Sequence, residues 1–195
     1  DKKFSDQKVY YVCNLLKFLI YLAKKKRKLF KGKVVGITGS AGKTTLKENL
    51  NFFLEKQYNV SSSFKSYNNL LGVIISILNI NLDSKFAIFE LGTNNFGEIK
   101  NLVQFILPSQ VIVTNIQSSH LEYFKNKKNI AIEKSDIFSP KYNSTIQSLI
   151  LLNSNEDEKF VLNTAKNYKI KNILTIGQSE NDNYRIYKIL KKYNK

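Results

Sequence analysis

The chain has 195 residues, 43% of them hydrophobic, and this length predicts one domain or at most two. Such a composition supports a sizeable core and excludes a disordered or collagen-like chain. The single cysteine, Cys13, excludes a disulfide scaffold and favours a reducing, cytoplasmic compartment. The longest apolar run, residues 9–23, is too short to span a bilayer, so we predict no integral membrane association.

The charge balance is strongly basic. Thirty-one lysines and arginines against 15 acidic residues give a formal net charge of +16, which attracts anions. Only Arg27 and Arg185 are arginines, whereas proteins that read DNA usually contact guanine through arginine, so we predict no nucleic-acid partner. A basic module for nucleic acid or a membrane surface remains an alternative, because the basic residues 24–28 continue an amphipathic segment. We expect a monomer.

Helix-like and strand-like segments alternate along the chain. In chain order the predicted elements are helix 14–29, strand 33–38, helix 44–56, strand 58–62, helix 69–78, strand 86–91, helix 97–105, strand 110–115, helix 129–138, strand 149–153, helix 156–168 and strand 172–177. Continuous apolar strands separated by helices are typical of parallel sheets covered on both faces. The sequence therefore predicts an α/β fold, a mostly parallel sheet with helices on both faces.

A glycine-rich turn with the sequence GSAGKTT follows the first predicted strand and opens a helix. Glycines let backbone N–H groups turn inward around phosphate oxygens, and a helix start favours anions. In such a phosphate loop Lys43 reaches the β- and γ-phosphates of ATP, and the Thr44 hydroxyl binds Mg²⁺. The predicted nucleotide contacts in this turn are Gly39, Ser40, Ala41, Gly42, Lys43, Thr44 and Thr45.

The strict pattern G-x-x-x-x-G-K-T is not met, because Ile37 stands at its first glycine. The form TGSxGKTT at a strand end instead resembles the Mur ligases. Four later segments resemble the central domain of that family in order and spacing, and the resemblance covers about residues 9–177. They are NNLLG at 68–72, ELGTNNFGEI at 90–99, Asn115 with HLE at 120–122, and KSDIF at 134–138. The resemblance implies the P-loop-containing central domain of a Mur ligase.

The resemblance implies roles for residues beyond the loop. Glu90 would bind Mg²⁺ beside Thr44, which suits a hard oxygen ligand. His120, the single histidine, would bind a second Mg²⁺ ion. Lys134 would be carbamylated by CO₂, so that an anionic group takes part in metal binding. Lys43, His120 and Lys134 form the implied catalytic set.

Three asparagines complete the implied site. Asn68 and Asn69 would lie near the phosphates and the acyl substrate, although two asparagines before a helix are also ordinary capping residues. Asn153 follows a strand at the position where the family contacts adenine.

The sequence departs from the family at two of these segments. The adenine motif N-x-D-D is here Asn153-Ser154-Asn155-Glu156, and the family's Gly-Phe-Gly-Ser is replaced by Tyr123-Phe124-Lys125-Asn126. These departures affect the contact with the base or ribose and the conformation of the loop after His120.

The ELGTNNFGEI segment is most specific for one family activity, the ATP-dependent joining of D-alanyl-D-alanine to UDP-N-acetylmuramoyl-tripeptide in peptidoglycan synthesis. The reaction would pass through an acyl phosphate, with those two molecules as partners. We predict that residues 1–30 link to an N-terminal domain, 31–177 form the ATP-binding central domain, and 178–195 lead toward a C-terminal domain. The chain alone is expected to be inactive. The alternatives are another P-loop ATPase or a ligase of the folylpolyglutamate synthetase type.

Overall fold

A parallel sheet forms the centre of the protein. The computed structural model describes residues 11–118, 121–153 and 156–187. The strands are β1 Lys33–Thr38, β2 Val60–Ser62, β3 Phe86–Glu90, β4 Gln110–Val113, β5 Ser148–Asn153, β6 Asn172–Gly177 and β7 Tyr184–Arg185. They form one sheet in the order β2-β3-β1-β4-β5-β6-β7, and every neighbouring pair is parallel. β1 therefore lies between β3 and β4, and the carboxyl ends of all three strands meet at one edge.

Helices cover both faces of the sheet. They are α1 Leu15–Leu29, α2 Lys43–Glu55, α3 Leu70–Leu78, α4 Glu98–Ile106, α5 Leu121–Phe124, α6 Lys127–Ser135 and α7 Glu156–Asn167. α2 covers one face, where its Leu46, Leu50 and Leu54 pack against a small cluster from the central strands. A larger core on the opposite face includes buried residues of α1, α3, α4, α6 and α7. The predicted α/β fold is confirmed.

The structure differs from the sequence-based elements in detail. The predicted helix 129–138 begins earlier, because the Asn126 side chain accepts the N–H of Asn129 at 2.9 Å and caps α6. It also ends earlier, since the chain tightens into a 3₁₀ turn over Asp136–Phe138. α5 and β7 were not predicted, because four and two residues are too short to show a period.

The first helix packs onto the domain rather than projecting from it. α1 contacts α3 and α4, and its Ala23 is fully buried. Arg27 donates from Nε to the carbonyl of Ile106 and from Nη2 to that of Leu107 at 2.9 Å, which satisfies the carboxyl end of α4. Across the described ranges, no helix is both long enough and apolar enough to cross a membrane.

Candidate functional site

The glycine turn lies at the carboxyl end of β1, the central strand. Gly39 has a φ of +146°, and a Cβ atom there would overlap Thr114 Oγ1. Gly42 has a φ of +78°, in the left-handed region, and α2 begins at the next residue. The first N–H groups of a helix have no intrahelical partner, so the start of α2 offers a group of backbone donors. This is the geometry that the sequence predicted for a phosphate loop.

Two lysines converge on one carbonyl of this turn. Lys43 Nζ donates to Gly39 O at 2.9 Å, and Lys134 Nζ, from α6, donates to the same oxygen at 3.1 Å. The pKa of Lys134 is lowered to about 7, chiefly by burial and secondly by the neighbouring Lys43 charge, while the Glu133 charge opposes the shift. Burial also lowers the pKa of Lys43, while the charge of Glu90 opposes that change. The site is therefore a partly dehydrated pocket of positive charge.

A buried carboxylate stands beside the lysines. Glu90, the last residue of β3, is 1% exposed. Its Oε2 accepts the Thr44 hydroxyl at 2.7 Å, and its Oε1 accepts Asn68 Nδ2 at 2.8 Å. These two donors satisfy a charge that would otherwise be costly to bury. The contacts also bring together the phosphate-loop helix, the segment before α3 and the end of β3.

The residues at Glu90 fit a Mg²⁺ ion by their donor chemistry. A carboxylate and a hydroxyl oxygen are hard ligands, and Mg²⁺ usually takes only one or two protein carboxylates beside water and substrate phosphates. A cage of three or more His, Cys, Asp or Glu side chains is not found in the part of the chain that the structure describes. Glu90 and Thr44 are thus suited to a metal that arrives with a phosphate ligand.

A cavity of about 660 Å³ opens in front of the two lysines. Six predicted site residues line it: Gly39, Ser40, Lys43, Asn68, Asn69 and Lys134. Its far side carries residues to which no role was assigned from the sequence, among them Thr93, Asn94, Glu98 and Asn101. Asn69 also caps α3, since its Oδ1 accepts the N–H of Gly72 at 2.9 Å. The capping role proposed for such asparagines is therefore present at Asn69, while Asn68 contacts Glu90.

The remaining predicted residues lie outside this lining. Ala41 and Gly42 are in the turn, and Thr44 and Thr45 are in the first turn of α2. Asn153 ends β5, the strand next to β4, and its side chain is not described. His120 lies outside the described residues, and its predicted metal-binding role stays a prediction.

Two buried charged residues near the site were missed by the sequence analysis. Lys47 is fully buried, donates to Ser63 O at 2.6 Å and to Lys65 O, and pairs with Glu48 at 3.1 Å. It thereby ties α2 to the segment that carries Asn68. Its burial was not predicted because lysines on an amphipathic helix usually face water. The one feature of the sequence that could have indicated a role is its i, i+4 spacing from Lys43.

Glu133 performs a similar task beside Lys134. It is 1% exposed, and its carboxylate accepts the N–H of Gly97 at 2.7 Å and that of Ile99 at 2.9 Å. It also accepts the Thr93 hydroxyl at 3.2 Å. Glu133 thus joins α6 to the start of α4 and to the far wall of the cavity. Nothing in the sequence distinguishes it from a solvated helical glutamate.

The fold and the site together define a class of protein. A glycine turn followed by lysine and threonine at the end of a central parallel strand, with a carboxylate on the neighbouring strand, is the arrangement of P-loop α/β domains.

Comparisons with known proteins give the family. The profile of the Mur ligase middle domain matches residues 37–195. The UDP-N-acetylmuramoyl-tripeptide–D-alanyl-D-alanine ligase of Rickettsia prowazekii is 37% identical over 176 residues, 90% of this chain and 38% of that protein. The ligase of the same name from Borreliella burgdorferi is 39% identical over 124 residues, 64% of this chain and 27% of that protein. The chain belongs to the Mur ligase family, and it spans less than two fifths of the length of these curated relatives.

Solved structures agree with this assignment. MurF from Acinetobacter baumannii superposes with a TM-score of 0.76 at 27% identity, covering 86% of this chain and 36% of that one. MurF from Thermotoga maritima, solved in complex with ADP, gives a TM-score of 0.74 at 27% identity, with 92% and 40% covered. A folylpolyglutamate synthetase structure at 13% identity, with a TM-score of 0.59, shows likeness of fold alone.

Proposed function

We propose that this chain is the ATP-binding part of a ligase that joins D-alanyl-D-alanine to UDP-N-acetylmuramoyl-tripeptide. The observation that carries the proposal is the convergence of Lys43, Lys134 and the Glu90–Thr44 pair at a phosphate loop. The names of the curated relatives support the substrates, and the ADP complex of the Thermotoga relative supports the nucleotide.

The proposed chemistry has two transfers. An oxygen of the terminal carboxylate of the tripeptide attacks the γ-phosphorus of ATP, and the bond to ADP breaks. The amine of D-alanyl-D-alanine then attacks the acyl carbon, phosphate leaves with its bridging oxygen, and the amine loses a proton. Phosphoryl transfer requires positioning and charge neutralisation more than covalent help from the protein. Lys43 and the backbone donors at the start of α2 supply both.

We assign the metal positions to residues of this chain. Glu90 and Thr44 would hold one Mg²⁺ ion, and His120 and a modified Lys134 would help to hold a second. Bound Mg²⁺ neutralises phosphate charge and orients the transferred group. Ser40, Ala41, Gly42 and Thr45 remain proposed nucleotide contacts, Asn68 and Asn69 are assigned to the phosphate and acyl-substrate side, and Asn153 to adenine.

Carbamylation of Lys134 is supported by its surroundings. Lys134 is 3% exposed, and the pKa of its amine is lowered to about 7 by burial first and by Lys43 second. Only a neutral amine attacks CO₂: a C–N bond forms and one proton leaves the nitrogen. The pocket therefore keeps a reactive amine at a pH where an exposed lysine is charged.

This modification makes a prediction with a defined pH dependence. With a pKa of about 7, roughly a tenth of Lys134 is neutral at pH 6 and about nine tenths at pH 8. We expect a carbamate signal in ¹³C NMR with labelled bicarbonate that is strong at pH 8 and weak at pH 6. Lys134→Arg should remove the signal, and Lys166→Arg, at an exposed lysine of α7, should keep it. An equal signal in Lys134→Arg would contradict the assignment.

The remaining proposals concern the whole protein. Its partners are the two substrates named above, without nucleic acid, and it acts in the cytoplasm as a monomer. Residues 1–30 and 178–195 would lead to an N-terminal and a C-terminal domain. Because the second substrate and part of the nucleotide would be held by those domains, the chain alone should bind Mg-ATP weakly and form no product.

A domain exchange tests the proposed function. This chain replaces the matching segment of the Rickettsia relative, and the pentapeptide product is measured by mass spectrometry with ATP, Mg²⁺ and both substrates. We expect product from the exchanged protein, none from the same protein with Lys43→Ala, and none from the isolated chain. Ligation of glutamate to a folate by the exchanged protein, without the pentapeptide, would favour the folylpolyglutamate synthetase alternative.

A further inference from the structure

The segment that follows β4 holds the phosphate loop by hydrogen bonds. The N–H of Ser40 donates to Asn115 O at 3.0 Å. The Ser40 hydroxyl donates to Gln117 O at 3.1 Å and accepts the N–H of Gln117 at 2.9 Å. The Thr114 hydroxyl donates to Ala41 O at 2.6 Å. Ser40 and Ala41 are thus fixed to the neighbouring strand rather than free to turn.

Asn115 contributes its side chain as well. Its Oδ1 accepts the N–H of Ala41 at 2.9 Å, and its Nδ2 donates to Ala41 O at 3.2 Å. The carboxamide therefore contacts both backbone polar groups of one residue and restrains its two dihedral angles. Asn115 is half-buried, and no catalytic or nucleotide-binding role has been assigned to it above.

The two contacts determine which loop amides remain for a ligand. The N–H groups of Ser40 and Ala41 already donate to Asn115. In a trans peptide the N–H points away from the C=O, and Ala41 O is directed at Thr114 and Asn115. The N–H of Gly42, in the same peptide group, is consequently directed away from β4. The amides at the start of α2 follow it.

We propose that Asn115 is a positioning residue of the phosphate loop, which orients the Ala41–Gly42 peptide so that the amide donors for phosphate begin at Gly42. The inference rests on the proposed ATP-binding function. It reduces the predicted set of backbone contacts to the nucleotide, because the amides of Ser40 and Ala41 donate to Asn115 and are not available to phosphate.

Calorimetric titration of the full chain with Mg-ATP provides the first test. Asn115→Ala should weaken binding about fivefold, the effect of losing hydrogen bonds that orient one donor. Asn143→Ala is the matched control. Its side chain also bonds backbone, at Pro108 O (2.6 Å) and Thr145 N (3.0 Å), but its partner Pro108 lies before β4, at the end of that strand away from the phosphate loop. This control should lower the midpoint of thermal unfolding and leave the affinity unchanged within twofold.

Hydrogen exchange of single amides provides the second test, which needs no nucleotide. In Asn115→Ala the amide of Ala41 should exchange about fivefold faster, while the amides of β1 keep their protection. Should that variant not fold, the isosteric Asn115→Asp is used. It retains an acceptor for the Ala41 N–H but opposes Ala41 O with a carboxylate, so the Ala41 amide should keep its protection while the affinity for Mg-ATP falls at least about fivefold.

The outcomes separate this inference from the proposed function. If the wild-type chain binds Mg-ATP and Asn115→Ala binds it equally well, the positioning role of Asn115 is overturned, while the proposed ATP binding stands. A wild-type chain that binds no Mg-ATP contradicts the weak binding expected from the proposed function. In that case the inference is tested by hydrogen exchange alone. If the Ala41 amide exchanges at the same rate in the wild type and in Asn115→Ala, the positioning role is overturned.

Discussion

Replacing Lys43 by alanine is expected to weaken Mg-ATP binding by about a hundredfold, as measured by calorimetric titration. A hydrogen bond from a charged donor contributes about 1.5–3 kcal/mol, and the upper part of that range corresponds to a hundredfold in affinity. Lys43 now donates to the carbonyl of Gly39 at 2.9 Å, and a phosphate would replace that neutral acceptor with a charged one. Partial burial of the ammonium strengthens the new interaction.

The control must remove the same charge elsewhere. Lys166→Ala, on the exposed side of α7, lowers the formal net charge equally and should leave the affinity unchanged. If both variants lost affinity alike, and binding fell steeply with salt without any requirement for Mg²⁺, the charge of the whole chain would be responsible. That result would favour the basic binding module over the phosphate loop.

Glu90→Gln is expected to remove most of the increase in ATP affinity that Mg²⁺ produces. Loss of an outer-shell partner typically costs ten- to a hundredfold in metal affinity, so loss of a direct carboxylate ligand should cost at least about a hundredfold. The fold should persist, because the glutamine oxygen still accepts one donor and the Thr44 hydroxyl can accept from its amide. Titrations of ATP at increasing Mg²⁺ measure the effect.

Binding without Mg²⁺ distinguishes a metal ligand from a structural carboxylate. In Glu90→Gln the affinity for ATP alone should be equal or slightly higher, since a negative charge beside the phosphates is gone. Glu55→Gln, at the exposed carboxyl end of α2, is the matched control and should leave the Mg²⁺ effect intact. A Glu90→Gln chain with the full Mg²⁺ effect would show that the carboxylate only holds Thr44 and Asn68.

The sequence predicted the parts of the site that depend on local order. The run Gly39–Thr45 stands between a buried strand and a helix, and glycine spacing with lysine and threonine has few other physical uses. Strands and helices that alternate over most of the chain left a parallel sheet as the consistent solution. The position of Glu90 beside Thr44 was expected from the resemblance to the Mur ligases, and its carboxylate accepts the Thr44 hydroxyl at 2.7 Å.

The sequence did not predict contacts that depend on which elements become neighbours. Lys47 and Glu133 are charged residues on helices, and their burial arises only when Ser63 and Gly97 approach them in the folded chain. The hydrogen bonds between the Asn115 side chain and the Ala41 backbone likewise form only when β4 lies beside β1. Contacts between distant segments leave no periodic pattern in the local sequence. Judged by residue type alone, lysine, glutamate and asparagine are all expected to face solvent.

The distances along the chain between these partners set the order in which the site can form. Thr44 and Glu90 are 46 residues apart, Ala41 and Asn115 are 74, and Gly39 and Lys134 are 95. Contacts between residues so far apart carry a large loop-closure cost and slow folding. The cost arises because β1 pairs with β3 and β4, which both follow it in the chain. The phosphate loop therefore exists only once the central sheet is assembled. A nucleotide that binds it binds the folded state alone, and so raises the stability of the entire domain by mass action.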